Sequence, residues 1–188
     1  MSAALVALLL TAAPAARTFT LDAQASSIRY HVVHKLHRVD GASSKLEGKA
    51  VLQPDGRVLA MVRAPVGTFE SGDGNRDAHM QEVMETSRFP FVVWKGMGQL
   101  DTKVLPVAAG AATSSPVSMT GELELHGVRR PQSVPLQLEL RADGTVHARG
   151  SFDVSLDAYG VERPSLLFVK IDDACKIDLD LVLHEAKP

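Results

Sequence analysis

A single cysteine, Cys175, in a chain of 188 residues excludes an internal disulfide and any zinc site built from thiolates. It also excludes an acylated N-terminal cysteine, since no thiol lies near the start. Alternation around Cys175 points it inward beside Ile177, as a small buried hydrophobe and not a nucleophile. An excess of positive charge is missing too. Twenty Lys and Arg stand against 22 Asp and Glu, for a net charge of −2. With no basic stripe, a nucleic-acid partner is excluded. Aromatics make up only 5% of the chain. No apolar run is long enough to cross a bilayer, which needs about 18 residues or more. Gly-x-Ser-x-Gly is absent, as is a glycine-rich phosphate loop leading from a strand into a helix. These absences argue against an enzyme and against a bound cofactor.

The longest apolar run is Ala3 to Ala13, followed by Ala13-Pro14-Ala15. A run of this length ending in small residues reads as a secretory leader. It sets residues 1–15 apart from one domain over 16–188, with cleavage at Ala16 or Arg17 nearly as favourable. The mature protein then carries no transmembrane segment and works in the periplasm or outside the cell.

Beyond the leader, apolar and polar residues alternate with period two, the mark of strands buried on one face. Ser27 to His37 reads as one strand, with Ile28, Tyr30, Val32, His34 and Leu36 inward. Lys45 to Gln53, Arg57 to Phe69 (bulged near Pro65 and Gly67), Phe89 to Lys95, Val117 to His126, Ser133 to Leu140, Val146 to Leu156 and Cys175 to Leu183 follow. Gln53-Pro54-Asp55-Gly56 and Asp143-Gly144 are turn signals, the latter for a two-residue hairpin. A longer turn is expected over His126 to Pro131, and a loop over Asp101 to Pro116. Asn75 to Glu85 reads as the one helix of useful length, capped by Asp73 or Asn75, with Asp77 in its first turn. A helical turn is expected over Ser165 to Val169. Eight or so antiparallel strands with one inserted helix make an all-β barrel or sandwich, and periodicity alone does not separate the two.

Three motifs carry a resemblance: Ser71-Gly72-Asp73-Gly74-Asn75-Arg76-Asp77-Ala78-His79-Met80, Arg88-Phe89-Pro90, and Gly121-Glu122-Leu123-Glu124-Leu125-His126-Gly127-Val128-Arg129-Arg130-Pro131. In that order and spacing the chain resembles the YceI family of bacterial periplasmic, polyisoprenoid-binding proteins, from about Phe19 to Leu183. It departs from the family where Asp73 replaces the usual Asn and where Leu156 replaces an Arg, as in a divergent branch. The resemblance implies a single eight-stranded lipocalin-like barrel around an apolar tunnel. It also implies a long-chain isoprenoid lipid or prenyl quinone as ligand, and a loose link to stress responses. Family members are often dimers, so a homodimer is among the assemblies it allows.

The inward set proposed as tunnel wall is Ile28, Tyr30, Val32, Leu46, Ala50, Leu52, Ala60, Val62, Ala64, Leu123, Leu125, Leu136, Leu138 and Phe152. Small members such as Ala50, Ala60 and Ala64 leave room that a solid core would fill, and a dry hollow accepts hydrocarbon. His34, Arg76, Asp77, His79 and His126 are candidates for the mouth, either as head-group contacts or as hydrogen bonds and ion pairs fixing helix and hairpin. His31, His34 and His37 do not form a metal site on this reading, because one strand sends His34 to the opposite face and sets His31 and His37 roughly 20 Å apart. Two other functions compete with lipid carriage. One is an enzyme using His34, His79 and His126 on such a lipid; the other is a stress-related interaction module for a membrane redox partner.

Overall fold

The period-two segments fold into strands wherever the inward residues find a common interior, and the ladder follows that alternation. The computed structural model describes residues 15–34, 37–101, 103, 111–163, 165–166 and 169–186. Of the expected leader, 1–14 lies outside the described residues, as does half of the expected loop (102 and 104–110). Twelve strands are present among the described residues: β1 (Arg17–Leu21), β2 (Ser27–His34), β3 (His37–Ser43), β4 (Glu47–Leu52), β5 (Arg57–Pro65), β6 (Phe91–Gln99), β7 (Ala112–Leu125), β8 (Val128–Arg141), β9 (Thr145–Ser155), β10 (Ser165–Leu166), β11 (Val169–Lys170) and β12 (Ala174–Glu185). Helix α1 (Gly74–Val83) lies in the connection between β5 and β6.

Eight strands close in the order β1-β4-β5-β6-β7-β8-β9-β12, with β12 returning to β1, every pair antiparallel. This is an eight-stranded barrel, and closure removes the free edges a sandwich would keep. Hairpin β2–β3 extends from β12 beyond the ring. β12 changes neighbour along its length, pairing first with β2 (Cys175 to Asp180) and then with β1 (Leu183 to Glu185). At the changeover the Val182 N–H donates to Ser26 Oγ at 2.9 Å, which satisfies a ladder donor that no backbone carbonyl reaches. That role explains a serine buried to 3% exposure. The seam is tied at its far end by Arg17, whose Nε and Nη2 each donate to a Glu185 carboxylate oxygen at 2.7 Å.

Several expectations change. The segment Ser27 to His37 is not one strand: it reverses after His34, and His34 pairs with His37 across the new hairpin. The separation along a single strand assigned to His31 and His37 therefore does not apply, and Leu36 lies outside the described residues. The turn after β7 is only His126-Gly127, both with positive φ (51° and 73°), the geometry of a type I′ hairpin. β8 starts at Val128 and runs through Pro131 and Pro135. The Asp143-Gly144 signal closes a three-residue loop, in which Gly144 donates to the Arg141 carbonyl at 3.1 Å and takes φ 85°. β7 claims Ala112 to Pro116 from the expected loop. Where a helical turn was expected over Ser165 to Val169, β10 and β11 pair as short antiparallel strands. The helix itself starts as anticipated: the Asp73 carboxylate accepts from the backbone N–H of Asn75 (3.0 Å) and Arg76 (3.2 Å).

Candidate functional site

The inward faces of the eight strands do not meet. They surround a cavity of about 970 Å³, and nearly all of its wall is aliphatic or aromatic. The reason is visible in one row of the ladder. Ala50 on β4 pairs with Ala60 on β5, Ala60 with Gly96 on β6, and Gly96 with Gly121 on β7. Four successive strands thus place nothing larger than a methyl group on the inner face at that level. Gly121 also allows β6 and β7 to come close, since a Cβ there would strike the Lys95 and Gly96 backbone. Trp94 folds over Gly96, and its indole N–H donates to the Gln132 carbonyl at 3.2 Å, so the one polar atom of a large cavity-facing side chain is satisfied.

Of the residues singled out from the sequence as wall, Ile28, Tyr30, Val32, Ala50, Leu52, Ala60, Val62, Ala64, Leu123, Leu125, Leu136, Leu138 and Phe152 line this cavity. Leu46 does not: it is buried in the core but lies outside the lining. The wall holds further residues that the sequence reading left out. Phe19, Trp94, Met119, Val146 and Ile177 belong to the same period-two faces. Phe69, Met80, Val83 and Met84 come from the β5–β6 connection and close one end; no strand periodicity marks them. At the opposite end Leu100, 2% exposed, seals the floor. Cys175 also faces the cavity, and burial pushes its thiol up to about 12. Burial likewise pushes the Tyr30 hydroxyl up to about 12.

Polar residues gather at the helix end. His37 and Arg38 from β3, Asp73, Asn75, Arg76 and His79 from α1 and its cap, and Glu162 rim the cavity there. Arg76 turns its guanidinium toward Ser71, donating to Ser71 Oγ at 2.8 Å and to the Ser71 carbonyl at 2.9 Å. Asp77 accepts from the Ser71 N–H at 2.9 Å and from its hydroxyl at 2.5 Å, and does not line the cavity. Together the pair fastens the preceding loop to the first turn of the helix. His79 is half-exposed, 3.4 Å from Glu82 on its own helix.

His126 stands apart from the cavity, nearly buried, with Phe89 edge-on at 5.1 Å between ring centroids. Its Nδ1 lies 3.2 Å from the Tyr159 carbonyl. Its Nε2 lies 3.3 Å from Glu85 Oε1, close enough for an ion pair but not aligned for a hydrogen bond. His79 and His126 thus have separate partners on separate elements. The structure places His34 by its backbone, opposite His37; its side chain lies outside what is described. Among the described residues no three His, Cys, Asp or Glu side chains are grouped to hold a metal ion.

On the outer surface His31 forms a cluster that alternation alone does not reveal. Its Nδ1 lies 2.6 Å from Asp40 and its Nε2 2.8 Å from Asp178, while Arg38 reaches Nδ1 at 2.7 Å. The hydrogen bonds from His31 and Arg38 hold the Asp40 carboxyl below the usual carboxylate range. The cluster staples β2 to β3 and β12.

No described helix is long and apolar enough to cross a membrane. Comparison with known proteins matches residues 19–183 to the YceI-like domain. No curated protein sequence matches the chain. Among solved structures, a polyisoprenoid-binding domain from Saccharophagus degradans implicated in plant cell wall breakdown superposes with a TM-score of 0.69 at 18% identity, covering 89% of this chain and 98% of that one. BcnA of Burkholderia cenocepacia gives 0.70 at 17% identity, over 86% and 98%. A YceI protein of Campylobacter jejuni gives 0.64 at 12% identity, over 83% and 90%. At such identities the likeness is one of fold.

Proposed function

The chain belongs to the YceI-like family, and from that premise we propose that it binds an elongated apolar lipid of the isoprenoid type, a prenyl quinone or polyprenol, inside the barrel and carries or buffers it. The observation that carries the reading is the cavity: about 970 Å³, walled by aliphatic and aromatic side chains, with Ala50 and Ala60 leaving room on β4 and β5. That volume lies at the upper end of ordinary ligand pockets. Transfer of a hydrocarbon tail into it gains about 0.8 kcal/mol per methylene. Binding energy then comes from length and apolar area, with the head group left to the polar rim at the helix end. The neighbour described as polyisoprenoid-binding fits this reading. The leader-like run Ala3 to Ala13 supports a periplasmic setting, where an apolar lipid needs a carrier to cross water.

A binding role is favoured over catalysis because Asp73 and Arg76 of the rim, and Asp77 and His126 behind it, are engaged in holding structure. Arg76 and Asp77 grip Ser71, Asp73 caps the helix, and His126 is sandwiched between Phe89, Glu85 and the Tyr159 carbonyl.

The test is organic extraction of protein purified from its native host, followed by mass spectrometry, with Ala60→Phe as control. A co-purifying prenyl lipid in the wild type and its depletion in Ala60→Phe are expected, because the phenyl ring fills the open row. Wild-type protein that neither yields a lipid nor takes up an added prenyl quinone would remove the proposal.

A further inference from the structure

The outer face of β4, β5 and β6 is unusually apolar for a barrel wall exposed to water. Met97 is 55% exposed, Leu59 44% and Phe91 38%. Val51, Leu59 and Met97 form one cross-strand row, with Met61 in the next. A shallow groove of about 550 Å³ runs between these residues. The row containing Met61 reads Lys49-Met61-Lys95-Glu122 across four strands. Neither lysine forms an ion pair among the described residues, whereas Arg57 and Arg63 at the ends of β5 are held by Asp55 and Glu47. Glu122 is the one carboxylate within the rows.

Two features decide what such a face meets. The first is charge. A twofold contact with a second copy would bring this patch against itself, setting two lysines and one carboxylate against the same set, an excess of positive charge. Anionic phosphates at a bilayer surface complement the same pair, and long lysine stems let the charge reach them while the neighbouring apolar groups enter the interface. The second is continuity with the interior. Lys49 and Ala60 border both the groove and the cavity, and Arg63, whose strand position faces outward, also lines the cavity. The groove therefore lies against the wall that the Ala50-Ala60-Gly96-Gly121 row leaves thinnest.

We propose that this face docks the protein on an anionic phospholipid bilayer, with Leu59 and Met97 in the interface and Lys49 and Lys95 on the phosphates. The proposal rests on the lipid-carrying reading, for it presents the thin side of the barrel to the membrane from which a lipid is taken. Its test is flotation of the purified protein with vesicles of phosphatidylglycerol and phosphatidylcholine, against phosphatidylcholine alone. Wild-type protein floats with the anionic vesicles, less so as salt rises. Lys49→Gln with Lys95→Gln weakens this about thirtyfold, at roughly one lipid-facing charge's worth per lysine. Leu59→Ser with Met97→Ser also weakens it, and both double variants keep the wild-type melting temperature.

Uptake of a prenyl quinone from detergent micelles, measured on the wild type and on Leu59→Ser with Met97→Ser, whose side chains do not line the cavity, stays at the wild-type level. Wild-type protein that ignores anionic vesicles, or variants that float as well as wild type, overturn the docking proposal. So does a wild-type dimer that Leu59→Ser with Met97→Ser dissociates, because the face then belongs to a second copy. Micellar uptake separates the two ideas: uptake without flotation leaves carriage standing, and flotation without uptake leaves docking alone.

Discussion

The Tyr30 ring covers Gly41 across the β2–β3 ladder, occupying the space a side chain at position 41 would need. The same ring faces the cavity and tilts against Phe69 at 5.9 Å between centroids. A methyl group at Gly41 must displace Tyr30 toward the ligand space. Gly41→Ala is expected to cost about 1–3 kcal/mol in denaturant unfolding, the range for overpacking. In a Tyr30→Ala background the same substitution should cost less than in the wild type, since the clash needs both side chains. Spectrophotometric titration of the wild type should find one tyrosine ionising near the value of about 12 to which burial raises Tyr30. An equal cost of Gly41→Ala in the Tyr30→Ala and wild-type backgrounds would show that the ring is not what position 41 meets.

Cys175 should be inert to water-soluble thiol reagents at pH 8 in the folded protein. Burial raises its thiol to about 12, so almost no thiolate is present to react. Labelling appears only on unfolding, which mass spectrometry across a urea series can follow. Cys175→Ser should lose about 1–3 kcal/mol, because it buries a hydroxyl in an apolar wall. Fast labelling of the native protein would mean that water reaches the cavity at this level.

Removing the Asp73 cap should weaken α1 without touching the barrel. Asp73→Ala is expected to cost about 1 kcal/mol, whereas Asp73→Asn, which keeps an acceptor for the Asn75 and Arg76 N–H groups, should be close to neutral. Thermal melts of the two variants decide this. The equivalence also accounts for an Asp where the family usually has Asn.

The Arg17–Glu185 pair predicts part of the acid response. The hydrogen bond from Arg17 holds the Glu185 carboxyl below its ordinary value. A carboxylate depressed in the folded state adds stability above its unfolded pKa, about 4.3, and this is lost as pH falls through the folded value. Both side chains are about a third exposed, so the contribution is below about 1 kcal/mol. Glu185→Gln should lower the urea midpoint slightly at pH 7 and leave it unchanged near pH 2. A difference that grows on acidification would contradict the assignment.

Strand faces were legible because a barrel wall is amphipathic, and alternation from Ile28 to Val32 or from Leu123 to Leu125 reports directly which side meets the interior. The β2–β3 reversal was not, because Ser27 to His37 alternates except at Val33 and holds no Gly, Pro, Asn or Asp to announce a turn. Pro131 misled in the other direction. It reads as a turn residue, yet it sits within β8 opposite Glu122. The closing residues of the cavity were hidden for another reason. Met80 and Val83 reach it from a helix that buries none of its own residues fully, and Met84 from that helix's C-cap, so only the three-dimensional path of the connection brings them there. The wall itself could be listed from the sequence, but its openness could not: four small residues on four strands become one row only when the register is known.

The first rung of the ring is also its clasp. Arg17 pairs with Leu52 on one side while gripping Glu185 on the other, so one residue both opens the sheet and fastens it. Arg17→Gln would strip the guanidinium from the junction and leave the Glu185 carboxylate without its counter-ion, loosening the hoop by less than about 1 kcal/mol.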